Sequence, residues 1–310
     1  MTSVVLYFQV HQPFRLRKYS WFDIGREERY FDDAENARIL RRVVARCYLP
    51  MNELLLRLHR RTRGRFRCAL SVSGTVLDQM EKWAPEALES FRLLATSGCA
   101  EFLAETSHHS LSFLGDPAEF RAQVLAHRDR IEDLFGVRPR AFRNTELVLD
   151  NEVARAAEEM GFDVVLGEGA DHLLGWRSPH GVYRPAGCER IVALLRSYRL
   201  SDDIAFRFAD RGWAEWPLSA PKFVKWLRAV PRAARHVGLF MDYETAGEHQ
   251  RRETGIFEFM ETLPGAVHRT RRFRFRCLSP WRMPLPPSFA QGTRRCRRLT
   301  RQNNKSAPCQ

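Results

Sequence analysis

The chain has 310 residues, 44% hydrophobic and 11% aromatic, enough to bury a large core and too apolar for a disordered chain. Lys and Arg number 50 against 37 Asp and Glu, a formal net charge of +13. The excess is local: residues 268–310 hold 12 of the basic residues and no acidic one, leaving 38 against 37 in residues 1–267, so a nucleic-acid role would rest on the tail alone.

The opening MTSVVLYFQV lacks the basic start, long apolar stretch and small-residue cleavage site of a secretory signal. It is expected to be a first strand, Ser3–Val10. ENARILRRVVARCYLPMNELLLRLHRR repeats apolar residues every three or four positions, a helical pattern with a break near Pro50. A strand over Phe66–Ser73 follows, then PEALESFRLLATSG, a helix with Pro85 in its first turn and Gly98 at its stop. Ala100–Thr106 reads as a strand, and the helix from Asp116-Pro117 closes at Gly136. Arg140–Thr145 and Asp163–Gly167 read as strands around a helix that starts at Asp150 or Asn151 and ends at Gly161. Ile191–Leu200 and Val237–Asp242 complete seven strands. The Trp- and Pro-rich stretch between them is expected to add a lid or helical insertion near residues 200–236.

Strands alternating with helices imply parallel βα units, and several of the runs are apolar throughout, as strands covered on both faces are. The expected fold is α/β, a (β/α)7 barrel over residues 1–267. The tail has neither helical nor strand period and carries three of the seven cysteines. It is expected to be disordered or, from about residue 270, read out of frame. No run reaches about 18 apolar residues, so no spanning helix and no membrane partner is expected. The odd, scattered cysteines without CxxC spacing point to reduced thiols and a cytoplasmic protein.

Three polar clusters sit at expected strand ends: His11-Gln12-Pro13, Arg143-Asn144-Thr145-Glu146, and Asp242 through His249. Barrel enzymes collect their chemistry from such ends. Glu146 and Asp242 supply two carboxylates, the set that glycoside hydrolysis uses. Asp242 and Glu244 alternate by two along an extended chain and so are expected to face the same side. Trp176, Trp213, Trp216 and Tyr243 are candidates for stacking on sugar rings, with a core role as the alternative. Asp202-Asp203 are read as structural. Glu101 is favoured over Glu105 as a site residue. His108-His109 fit a rim ligand or a structural pair equally.

HQP after the first strand, AEFLAETSHHSL, FRNTELV and LFMDYETAGEHQ, in that order, resemble the signature segments of glycoside hydrolase family 57, over about residues 4–265 and with an α-amylase-like flavour. The resemblance implies a (β/α)7 barrel followed by a helical region that closes over the cleft. Retaining chemistry on an α-glucan oligosaccharide or polysaccharide is implied too, with no metal and no cofactor. Glu146 falls on the nucleophile position and Asp242 on the acid/base position. His11, Glu101 and Glu244 fall on positions that line the sugar subsite, and Gln12, His109 and His249 are further substrate-binding candidates. A retaining pair stands about 5–5.5 Å apart, and the acid must start protonated, which neighbouring carboxylates favour by like-charge repulsion. Two departures stand out. Ala246 replaces an aromatic residue, and the C-terminal helical region is expected to be incomplete, so that an inactive, truncated glucan-binding protein is an alternative. Others are 4-α-glucanotransferase or branching-type transfer, and a metal-dependent deacetylase, for which His108-His109 and Asp202-Asp203 lack the required HxxxH arrangement. Oligomeric state is left open.

Overall fold

The structure, a computed structural model, describes residues 1–278 and Trp281. Among the described residues nine strands run in chain order: β1 (Thr2–Val10), β2 (Cys68–Val72), β3 (Ala100–Phe102), β4 (Ala141–Arg143), β5 (Val164–Gly167), β6 (Val182–Tyr183), β7 (Val192–Leu195), β8 (His236–Asp242) and β9 (Phe273–Phe275). Helices α1 (Asp33–Val43), α2 (Leu49–Arg61), α3 (Gly74–Trp83) and α4 (Pro85–Thr96) fill the first connections, with α5 (Pro117–Phe135), α6 (Asn151–Glu159) and the short α7 (Asp171–Leu174) behind them. Then come α8 (Tyr198–Ala205), α9 (Ala220–Ala229) and α10 (Ile256–Arg269). The expected break near Pro50 is instead a π turn, Val44–Tyr48, that carries α1 into α2 without interruption. Such turns are frequent at functional sites.

Every residue of β1 is buried, which its apolar run Val4–Phe8 anticipates for the middle of the strand. One sheet runs β3-β2-β1-β8, with β9 also paired to β1; the other runs β4-β5-β7-β6. All pairings are parallel except β6 with β7. The expected closed seven-stranded ring is not present as continuous ladders. β3 and β4 are too short to build one between them, and the two sheets touch at single parallel bridges, Ala104 to Phe142 and Arg196 to Gly238. One apolar cluster lies between the sheets, with Val5, Tyr7, Leu103, Leu166, Leu194 and Phe240. The other two lie under the flanking helices.

Two expected boundaries move. The run Ile191–Leu200 ends as a strand at Leu195, because Tyr198–Ala205 turns into α8 and buries Ser201, Ile204 and Ala205. The boundary at residue 267 falls inside α10, and β9 beyond it pairs with Thr2–Val4 of β1. Leu278 and Trp281 are buried in the cluster between the sheets. The remainder of the expected basic tail lies outside the described residues. The 200–236 stretch is α8, α9 and their connection, in which Trp213 packs edge-on to Trp226. Among the described residues no helix is long and apolar enough to cross a membrane.

Candidate active site

The C-terminal ends of β1, β2, β3, β4 and β8 converge on one polar group. Each strand places its inward residues by the two-residue alternation, and the last inward position is polar. β1 contributes Gln9 after Val5 and Tyr7. The chain after β3 contributes Glu105, two residues beyond buried Leu103. Gln9 Nε2 donates to both Glu105 oxygens, at 3.0 and 3.1 Å. Its own Oε1 accepts from Ser71 Oγ at 2.7 Å and from the Tyr7 hydroxyl at 2.9 Å. Asp242, exposed at the end of β8, stands opposite Gln9 in register.

Glu105 Oε2 lies 3.3 Å from His109 Nδ1, and His109 Nε2 lies 3.1 Å from Glu146 Oε1. The Arg143 guanidinium approaches Glu105 to 3.8 Å. His11 stacks on His109 with ring centroids 4.1 Å apart, and its Nδ1 meets Ser73 Oγ at 2.7 Å. Burial, then the charge on His109, pushes His11 down to about 4. Burial works against a proton on His109 as well, yet the hydrogen bond and charge of Glu105, with Glu146, raise it overall. The Glu146 side chain is 72% exposed. Its backbone is left-handed at φ 54°, ψ 24°, and Leu147 follows at φ 57°. His109 has φ 54° as well. Non-glycine residues pay about 1–3 kcal/mol for such sparsely populated backbone, which persists where the surroundings impose it and clusters at functional sites.

Glu244 corrects an expectation. The chain enters a 3-10 turn at Tyr243–Thr245, so the strand alternation stops and Glu244 points away from Asp242 into the protein. Its Oε1 accepts from the Tyr48 hydroxyl at 2.5 Å and from Gln12 Nε2 at 3.4 Å. Gln12 is itself buried, and its Oε1 accepts from Arg15. Burial first, with the charge of Asp242 adding and the Tyr48 bond opposing, pushes the Glu244 carboxyl from 4.5 up to about 7. The folded protein therefore keeps a proton there that the unfolded chain releases between those values. The resulting stability is complete below pH 4.5 and is lost as pH rises through 7, an effect on the order of 3 kcal/mol. Glu244→Gln cannot lose that proton. The stability advantage of wild type over the variant, from urea midpoints, should shrink steadily between pH 5 and pH 8. A constant difference would refute the assignment.

Other expected residues lie elsewhere. Glu101 sits level with Ala69, four residues and roughly 13 Å of strand before Glu105. It accepts the backbone N–H of Leu278 and is not brought to the rim. His249 is exposed in the loop after Asp242, tied by its backbone N–H to Glu244 O. His108 is exposed and His109 half-buried, which separates the pair. Tyr243 is fully buried and donates to Asn52, so it is core; Trp176 and Trp216 remain exposed. Ala246 is buried, packed within the core under α1 to α4. Asp202 pairs with Arg196 and Asp203 with Arg207, the structural role expected. Glu105 and Gln9 were not anticipated as site residues, and Arg143 only as part of the cluster at the end of its strand. The signal was a polar residue within or just beyond an otherwise apolar buried run.

Polar side chains gathered at the C-terminal ends of parallel strands define an enzyme-type α/β site. The chain belongs to glycosyl hydrolase family 57, whose sequence model matches residues 5–280. That match extends past residue 270, where the change of frame was expected. A Methanocaldococcus jannaschii protein named "Putative alpha-amylase" is 40% identical over 263 residues, covering 83% of this chain and 54% of the relative. The chain thus spans about half that relative's length. Among solved structures, the 4-alpha-glucanotransferase from Thermococcus litoralis superposes with a TM-score of 0.68 at 17% identity, covering 90% of this chain and 40% of the other. The family 57 branching enzyme from Pyrococcus horikoshii gives 0.67 at 14% identity, covering 90% and 69%. An alpha-amylase from Thermotoga maritima gives 0.64 at 12%, covering 90% and 74%.

Proposed function

We propose that this chain acts on α-glucans as a retaining glycoside hydrolase, with Glu146 as nucleophile and Asp242 as acid/base. The observation that carries this reading is Glu146 itself: an exposed carboxylate held by an imidazole on a left-handed backbone at the end of a parallel strand. In this reading the two sheets are arcs of a (β/α)7 barrel, and the seams are the bridges at Ala104 and Arg196. Glu146 attacks the anomeric carbon and forms a glycosyl ester while Asp242 protonates the departing oxygen. Asp242 then takes a proton from the incoming water or sugar hydroxyl, which decides between hydrolysis and transfer. His11, with Nδ1 committed to Ser73, keeps its other nitrogen for a sugar hydroxyl.

Incubation with maltoheptaose tests this. New reducing ends are expected from hydrolysis, and products longer than the substrate would mark transfer. If wild type releases nothing that Glu146→Gln does not, the proposed activity is refuted.

A further inference from the structure

We propose that Glu105, a carboxylate fully shielded from solvent beyond β3, is a positioning residue that locks His109 against Glu146. This rests on the reading of Glu146 as nucleophile. The geometry supplies the argument. His109 has a carboxylate oxygen at each ring nitrogen, 3.3 Å away at Nδ1 and 3.1 Å at Nε2. An ionised carboxylate only accepts, and a neutral imidazole has one N–H to give. Both contacts are hydrogen bonds at once only when His109 is the doubly protonated cation.

The surroundings favour that state. Glu105 is anchored on its far side by Gln9, which cannot remove its charge, and faces Arg143 at 3.8 Å. His127, the other titratable group against it, accepts the Glu105 backbone N–H at Nδ1 and donates from Nε2 to Val72 O, so it is neutral. Burial alone would raise the Glu105 carboxyl, but the hydrogen bond and charge of His109, with the Arg143 guanidinium, bring it below its ordinary value. Across the ring face, His11 is stacked too close to carry a second positive charge, and burial and His109 keep it neutral. Glu146 is the one exposed end of the chain Gln9–Glu105–His109–Glu146. Glu105 thus fixes both the ring orientation and the charge that Glu146 meets, without touching substrate.

The test uses imidazole NMR titration of the full chain, with the His109 resonance assigned by its loss in His109→Gln. In wild type, His109 should titrate above 6.5, its unperturbed value. In Glu105→Gln it should fall below 6.5, and in Glu146→Gln it should fall by less and stay above 6.5. A wild-type value at or below 6.5, or a Glu146→Gln shift as large as that of Glu105→Gln, would overturn the proposal. If Glu105→Gln does not fold, Glu146→Gln still decides: a His109 value dropping below 6.5 there removes Glu105 as the anchor. In turnover of maltoheptaose, Glu105→Gln should lower kcat by about 100-fold, the scale of a misplaced reacting group, with KM nearly unchanged and the pH profile of kcat displaced. An unchanged kcat and pH profile would overturn it. A wild type without activity would count against the reading of Glu146, while the titrations would still decide how Glu105 holds His109.

Discussion

With Glu146 as the proposed nucleophile, Glu146→Gln is expected to lower kcat/KM on maltoheptaose by at least roughly 1,000-fold, because an amide cannot form the glycosyl ester that this reading requires. The fold should be untouched. The side chain is 72% exposed, and the contact it loses is a single hydrogen bond from His109. The backbone adds a second expectation. At φ 54° a side chain is strained, so Glu146→Gly should be equally inactive while unfolding at the same or a higher temperature. Stability released by deleting a catalytic side chain marks a site shaped for chemistry. Activity within tenfold of wild type in Glu146→Gln would remove Glu146 from the mechanism.

Gly247→Ala is expected to be the most damaging single-methyl substitution in the Asp242–His249 loop. The backbone has φ 111°, and an added Cβ would lie 2.1 Å from Arg46 O and 3.0 Å from the Cys47 Cα. Both obstacles are main chain of the π turn, which cannot swing aside. The same turn holds the loop through Cys47 Sγ to Tyr243 O and through Tyr48 to Glu244, with Arg42 of α1 reaching Glu248. The loop would have to lift as a unit and take Asp242 with it. A loss of about 3 kcal/mol or more is expected, from steric clash plus left-handed strain. Gly98→Ala is the control: φ is 70° there, but nothing lies within 4 Å, so only the backbone cost of about 1 kcal/mol remains. Thermal unfolding followed by circular dichroism compares them. Equal melting temperatures for the two variants would refute the clash.

The strands that build the core were legible because burial on both faces leaves long apolar runs, as in Val4–Phe8 and Val237–Met241. β6 and β9 were not, since two or three residues carry no period. The stretch from Tyr198 was read as strand because its apolar residues suit either state, and packing of Ile204 and Ala205 decided for helix. Of the site, Glu146, Asp242 and His11 were visible as polar clusters at strand ends, whereas His109 fitted a rim ligand or a structural pair equally. Glu244 was misread because a strand period was carried two residues past the strand end, into a turn. Glu101 and Glu105 share a face of the same run, and only their depth along it separates them. Depth is set by pairing with β2, which no local pattern records.

β1 has a temporal consequence. It leaves the ribosome before the strands it pairs with: its long ladder is with β8, more than 230 residues later, and its first residues pair with β9 at Phe273–Phe275. At roughly 5–20 residues per second of synthesis, nine residues that end fully buried wait on the order of tens of seconds for those partners. Until then only β2 is available to cover one edge, over Tyr7–Val10. Closing such distant pairs last makes folding slow and leaves an apolar strand edge open to other chains. The segment that seats Gln9 and His11 is therefore also one that stays exposed to mispairing during translation.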